Sequence, residues 1–118
     1  MKQRILFIVG FLVSCHVYSQ VGINTQNPQG IFHVDAKKNN PITGLPTGSQ
    51  LDDDVVISTD GQLGIGTNTP TTKLHVKAPS NPLRLEGLVN GQTTDSLLTV
   101  DTSTGIVRIR KLVQGGGG

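Results

Sequence analysis

The chain has 118 residues and a formal net charge of +2, which Lys2 and Arg4 account for entirely. The remaining charges balance at eight basic against eight acidic, so the composition argues against a nucleic-acid-binding surface. Phe32 is the only aromatic residue after position 19, and a small domain built on Val, Ile and Leu buries little surface by itself. The composition therefore favours a chain that completes its core against copies of itself.

The first 19 residues have the features of a secretory signal peptide. A basic segment at residues 1–4 precedes an apolar run at residues 5–13, which is too short for the roughly 20 residues of a membrane span. Small residues before the cleavage position predict a signal helix that is removed between Ser19 and Gln20. The protein is therefore expected to leave the cell through the Sec route and to be extracellular or on the outer cell surface.

An alternative reading of the same leader concerns its cysteine. Residues 12–15 are similar to a lipobox, in which Cys15 would be lipidated and would anchor a surface lipoprotein. Under ordinary cleavage Cys15 is lost with the leader. The mature chain then has no cysteine, and no disulfide can stabilise it in an oxidising compartment.

A repeat is the most informative feature of the remaining chain. Residues 21–36 and residues 63–78 align without a gap at an offset of 42 residues, with seven identities in sixteen positions. The repeat signature comprises Gly22, Ile23, Thr25, Pro28, His33 and Val34 in the first copy, and Gly64, Ile65, Gly66, Thr67, Pro70, Leu74, His75 and Val76 in the second. A fixed period of about 20–50 residues is typical of repetitive, quasi-linear architectures.

The patterning predicts an all-β fold of short strands. Strands are expected where apolar and polar residues alternate or β-branched residues run together, at residues 32–34, 55–57, 74–76, 83–88, 97–100 and 106–110. Prolines at positions 28, 41, 70, 79 and 82 interrupt any longer helix, and only residues 93–98 would support a helical turn. The turns after residues 57 and 100 each carry a glycine where a positive φ is expected, at Gly61 and Gly105.

The repeat also organises the chain into units. Repeat unit 1 is predicted at residues 20–62 and unit 2 at residues 63–105, followed by a further strand at residues 106–113 and a Gly-rich tail at residues 114–118. Two units are fewer than a stable solenoid commonly requires. We therefore expect a β-prism or β-solenoid-like fibre that is completed by trimerisation, and we interpret the tail as a linker or as the point where a longer protein is cut.

The signature residues have conformational roles. Ile65 is expected to be buried between two glycines that let the backbone bend or approach a neighbour, and Leu74 and Val76 are expected to return to the core. The segment from Thr67 to Pro70 should turn the chain, with short side chains that bond their own backbone. Asn24 stands at the position of Gly66 in the other copy and tolerates a positive φ. The third glycine and lysine of a phosphate-binding loop are missing.

This pattern resembles a known repeat. The motif Gly-Ile-Gly-Thr-x-x-Pro-x-x-x-Leu-His-Val at residues 64–76 is similar to one found in secreted bacterial surface proteins and in phage tail-fibre-like proteins. The block at residues 83–108 resembles the segment that commonly follows it. The resemblance implies a fibrous or trimeric β-rich stalk and no defined biochemical activity. Members of this group sometimes end in an intramolecular chaperone domain, and nothing in this sequence is similar to that domain.

Candidate chemistry is sparse. His33 and His75 share a repeat position and are expected to face outward from their strands. The sharper alternative is a metal-binding histidine ring around a trimer axis, for which Asp35 is a nearby carboxylate in the first copy, whereas the second copy has Lys77 at that position. Asp52, Asp53 and Asp54 lack the alternating spacing of a calcium loop and are expected to form a solvated turn. Ser96 follows Asp95 in a pattern similar to bacterial O-glycosylation acceptors. We therefore expect no catalytic residues, no cofactor and no metal.

Three function classes follow from these observations. The leading one is a secreted or cell-surface structural or adhesive β-repeat module without catalytic activity, a homo-oligomer (a trimer is favoured) whose partner is a surface glycan or a host or cell-surface receptor. The second is a carbohydrate-binding module, although the mature chain has no Trp or Tyr to stack on a sugar. The third is a non-catalytic fragment of a larger secreted protein. No nucleic acid and no transmembrane span in the mature chain are expected.

Overall fold

The structure of the protein is a computed structural model that describes residues 1–4, 19–92 and 95–111. The apolar run of the leader, Cys15 and the tail at residues 114–118 lie outside the described residues. Within the described part of the chain, no helix has the length and apolar character required to cross a membrane.

The described residues form seven short strands and almost no helix, which confirms the all-β class. The strands are β1 Val21–Ile23, β2 Phe32–Asp35, β3 Asp54–Ile57, β4 Leu63–Ile65, β5 Leu74–Val76, β6 Leu97–Val100 and β7 Val107–Arg110. One 3₁₀ helix, Gly48–Gln50, lies between β2 and β3.

The chain divides into two compact units, Met1–Arg84 and Leu85–Gly118. The first unit contains a five-stranded sheet in the order β1-β2-β3-β4-β5. Its outer pairs are parallel, whereas β3 runs antiparallel to both of its neighbours. The second unit contains the antiparallel hairpin of β6 and β7.

Each copy of the repeat forms a parallel strand pair in the same register. Gly22 lies opposite His33 in the first pair, and Gly64 lies opposite His75 in the second. The crossover turn is stabilised identically, since the Asn27 N–H donates to Thr25 Oγ1 at 3.1 Å and the corresponding Thr69 N–H donates to Thr67 Oγ1 at 3.3 Å. The repeated sequence therefore specifies a repeated supersecondary unit.

The predicted turn conformations are present. Asn24 has a φ of 61° and its counterpart Gly66 has a φ of 75°, so both copies leave the first strand through the left-handed region. Gly61 and Gly105 also have positive φ, as expected for the turns after β3 and β6. These positions confirm the glycine and asparagine assignments made from turn chemistry.

One face of the sheet is entirely apolar. Paired residues project from the same side, so the register aligns two rows of five side chains, which together form the surface called here the apolar face. Its residues are Val21, Phe32, Ile57, Leu63 and Leu74 in one row and Ile23, Val34, Val55, Ile65 and Val76 in the other. None of the ten is fully buried within the chain.

This arrangement corrects the predicted burial of the repeat signature. Ile65 was expected between two glycines in the core, but its side chain is on the apolar face and is 38% exposed, whereas Gly64 and Gly66 are buried. Leu74 is 56% exposed and Val76 is half-buried. The physical reason is that the described residues of the first unit form one sheet and no second layer over this face.

The opposite face is polar except at Val56, and it is buried where β2 and β3 pair. His33, Asp35, Asp54 and Val56 have no exposed surface, and Val56 is the one fully buried large hydrophobic residue in the described chain. The prediction that His33 faces outward is therefore wrong. The alternation of apolar and polar residues correctly predicts which side chains of β2 share a face. The polar face is nevertheless the buried one, because residues of the segment 36–53 form hydrogen bonds to its side chains.

Two predicted elements are absent from the described residues. The segment 83–88 was expected to be a strand but has no strand pairing. Its apolar and polar residues alternate, but no neighbouring strand accepts and donates the backbone hydrogen bonds of this segment, which begins after Pro82 and contains Gly87. The proposed helical turn at residues 93–98 is also wrong where it is described, since Leu97 and Leu98 belong to β6, and Thr93 and Thr94 lie outside the described residues.

The turn of the β6–β7 hairpin is organised by Asp101. Its carboxylate accepts hydrogen bonds from the Ser103 hydroxyl at 2.6 Å and from the Arg108 guanidinium at 3.0 Å, together with the N–H groups of Ser103 and Thr104. The Ser103 hydroxyl, followed by Arg108 and the backbone N–H groups, holds the pKa of Asp101 well below its ordinary value of 3.8.

We predict that this carboxylate stabilises the hairpin at any pH above 3.8 and that the stabilisation is lost only as the pH falls through the lower folded-state pKa. The measurement is a carboxyl ¹³C NMR titration of Asp101. The Arg108→Gln variant should move the Asp101 pKa upward because the charged donor is removed. Titration of Asp101 at its ordinary value in the wild-type chain would contradict this assignment.

Candidate functional site

Five polar side chains meet where β2 ends and β3 begins. His33 and Asp35 project from the same side of β2, and Asp54 lies directly opposite Asp35 in the antiparallel register. Asn40 reaches this position from the β2–β3 connection, and Asp53 immediately precedes β3. We refer to His33, Asp35, Asn40, Asp53 and Asp54 as the polar cluster.

His33 is held by both ring nitrogens. The Gln29 N–H donates to His33 Nδ1 at 3.0 Å, so Nδ1 is an acceptor and the proton of the neutral ring is assigned to Nε2. Nε2 lies 3.1 Å from Asp54 Oδ2. Neither nitrogen is free to bind a metal ion, which argues against the histidine-ring alternative for His33.

Asp35 fixes the start of the β2–β3 connection. The Asn39 N–H donates to its Oδ1 at 3.1 Å, and the Asn40 N–H donates to its Oδ2 at 2.8 Å. Burial by itself would raise the pKa of the Asp35 carboxyl, but the N–H groups of Asn40, Asn39 and Lys38, together with a smaller electrostatic contribution from His33, lower it. Asp35 is thus a buried carboxylate that stays ionised.

Asp53 and Asp54 accept hydrogen bonds from side chains as well as from the backbone. The Lys37 N–H donates to Asp53 Oδ2 at 2.7 Å, and the Lys37 ammonium lies 4.0 Å from Oδ1. Asn40 Nδ2 donates to Asp54 Oδ2 at 2.8 Å. Two buried oxygens in this part of the structure, Asp54 Oδ1 and Asn40 Oδ1, have no hydrogen-bond donor. Both are acceptors, so the cluster has spare capacity for a positively charged or donating ligand.

Three carboxylates of the cluster converge. Asp35, Asp53 and Asp54 each offer an oxygen within 4.8 Å of the others. The solvated turn predicted at residues 52–54 is correct only for Asp52, which is exposed, because Asp53 is half-buried and Asp54 is fully buried. The third carboxylate comes from Asp35 on the neighbouring strand, so the carboxylates that meet are not three consecutive residues.

The second copy of the repeat keeps only part of this arrangement. His75 accepts a hydrogen bond from the Thr71 N–H at 3.3 Å through Nδ1, as His33 does from Gln29. Lys77 stands where Asp35 stands in the first copy, and Leu97, the first residue of β6, stands where Asp54 begins β3. The hydrogen bond from a backbone N–H to the histidine Nδ1 is therefore common to both copies of the repeat, whereas the cluster of three carboxylates occurs only in the first copy.

Sequence reasoning missed Asn40 and Gln29 as partners of the site, and it treated Asp35 only as a potential metal ligand close to His33. A signal was available for Asp35, since an aspartate before the polar run 37–40 is typical of a side chain that accepts from the following backbone. Ser96 is exposed just before β6, so the O-glycosylation assignment stays a prediction. Ser19 and Gln20 are exposed and precede β1, and cleavage between them likewise stays a prediction.

The fold and the cluster together define an all-β repeat protein with a polar, carboxylate-rich inner face. No protein family, no curated protein and no solved structure matches this chain.

Proposed function

We propose that the chain is a secreted or cell-surface structural or adhesive module whose β-repeats complete their core by homotrimerisation. The apolar face carries this proposal. Ten Val, Ile, Leu and Phe side chains lie side by side on one face of a single sheet, and none is fully buried. Contiguous apolar surface of this kind marks an association site rather than a solvated surface.

The energetics favour self-association of this face. Full burial of one exposed Val, Leu or Ile side chain contributes roughly 1.5–3 kcal/mol. The side chains of the apolar face are at most 56% exposed, so burying all ten contributes an amount of the same order as the cost of association, about 4–15 kcal/mol. A closed cyclic arrangement lets each chain bury the same face against its neighbours without leaving an open end. Three such sheets around one axis form a β-prism, which is the arrangement that the repeat resemblance implies.

The other function classes receive less support. A carbohydrate-binding module would present an aromatic platform, and Phe32, the single aromatic residue among residues 19–118, is half-buried on the apolar face. An adhesive role would place a surface glycan or a receptor at another part of the module. Anchoring through Cys15 and membership of a longer protein are both compatible with a trimeric stalk.

Oligomeric state tests the proposal directly. Size-exclusion chromatography with light scattering should show a mass three times that of the mature chain, and a folded monomer would refute it. Ile65→Asp should dissociate the trimer, because a carboxylate on the apolar face has no partner and desolvating it costs several kcal/mol. Thr59→Asp, which places the same charge in the exposed turn after β3, should leave the mass unchanged.

A further inference from the structure

The polar cluster has more negative charge than its surroundings compensate. Asp35 and Asp54 face each other across β2 and β3, and both side chains have no exposed surface. Like charges directly opposite on neighbouring strands destabilise a sheet, and buried charges require a partner. Asp53 adds a third carboxylate within 4.8 Å of these two.

The positive groups nearby do not balance this charge. The Lys37 ammonium lies 4.0 Å from Asp53 and is 68% exposed, so solvent screens it. The His33 ring donates from Nε2 and accepts at Nδ1, which is the hydrogen-bonding pattern of a neutral imidazole. The remaining donors to the three carboxylates are uncharged N–H groups of the backbone and of asparagine side chains.

A second observation points to a ligand. Asp54 Oδ1 belongs to a side chain with no exposed surface, and it has no hydrogen-bond donor. The amide oxygen of Asn40, the residue whose Nδ2 donates to Asp54 Oδ2, is a second buried acceptor without a donor. Leaving a buried acceptor unpaired is unfavourable, and a cation would stabilise these two unpaired oxygens, one of which belongs to the group of three carboxylates.

We propose that the polar cluster binds a calcium ion through the carboxylates of Asp35, Asp53 and Asp54, with the amide oxygen of Asn40 as a further ligand. Calcium takes oxygen ligands at about 2.3–2.6 Å, so its ligands lie within about 5 Å of one another, as these carboxylate oxygens do. Zinc is disfavoured because both nitrogens of His33 are engaged and the other donors are oxygens. The ion connects β2, β3 and the segment 36–53 that covers the polar face.

The experiment is a calcium titration of the mature, EDTA-treated protein by isothermal calorimetry, with thermal melting at fixed protein concentration. We expect one site per chain with a dissociation constant of about 10⁻⁴ M, in the range of extracellular calcium modules, and a rise in Tm of roughly 5–10 °C at saturating calcium. A folded wild-type chain that gives neither saturable binding nor a Tm shift would overturn the proposal.

Two neighbouring variants locate the ion. Asp53→Asn keeps the size of a half-buried ligand and removes its charge, so calcium affinity should fall by about 10-fold or more. Asp52→Asn removes the same charge from the exposed neighbour outside the cluster and should change affinity by less than about 2-fold. Equal losses in the two variants would show diffuse binding to an acidic segment and would refute the site. The wild-type titration decides by itself if Asp53→Asn does not fold.

Discussion

Replacing Gly66 with alanine is expected to lower the free energy of unfolding by about 3 kcal/mol or more and Tm by more than about 10 °C. Gly66 has a φ of 75°, and an added Cβ would overlap the carbonyl oxygen of Lys77. The backbone there is fixed on both sides, because the Gly66 N–H donates to the Asp54 carbonyl at 2.9 Å and the Lys77 N–H donates to the Ile65 carbonyl at 2.8 Å. Relief of the overlap would therefore break the β4–β5 pair at its end.

Gly61→Ala is the matched control for this prediction. Gly61 has a φ of 68°, close to that of Gly66, but an added Cβ there meets no atom within 4 Å. Gly61→Ala should therefore lower the free energy of unfolding only by the strain of a left-handed alanine, about 1–2 kcal/mol. Chemical denaturation of both variants at one protein concentration separates strain from overlap. Equal losses of stability would mean that the approach of residue 77 does not constrain the repeat.

Replacing His33 with alanine is expected to lower the free energy of unfolding by about 3 kcal/mol. The side chain is fully buried, so its removal leaves a cavity. The substitution also removes the acceptor of the Gln29 N–H and a donor to Asp54 Oδ2. The other oxygen of the Asp54 carboxylate, Oδ1, already has no donor. We also expect the segment 36–53 to open more often in this variant. Faster hydrogen exchange of the backbone amides of Asn39 and Asn40 would detect that opening.

His75→Ala is the control supplied by the repeat itself. His75 occupies the same register position and accepts the same kind of backbone bond, from Thr71, but it is half-buried and lies in the copy that has Lys77 in place of Asp35. Its loss should cost about 1 kcal/mol, the value of one ordinary hydrogen bond. A His75→Ala effect as large as that of His33→Ala would show that the polar cluster adds nothing to the bond shared by both copies.

Local sequence rules predicted the elements whose cause is local. The strand pattern located β2, β3, β5, β6 and β7, and turn chemistry placed positive φ at Asn24, Gly61, Gly66 and Gly105. The strand prediction was wrong at residues 83–88, where apolar and polar residues alternate but no neighbouring strand forms backbone hydrogen bonds with them. A strand therefore needs a partner that its own sequence does not specify.

Local patterns are enough to predict an all-β chain with a repeated strand–turn–strand unit, since glycine, proline and period-2 alternation act over a few residues. Which side of each strand is covered depends instead on contacts between residues that are distant in the chain. Alternation separates the face of His33 and Asp35 from that of Phe32 and Val34, but it is equally compatible with burying either one. Burial depends on residues 36–53 reaching back to β2, and the carboxylates of Asp35 and Asp54 meet only because an antiparallel register joins positions distant in the chain.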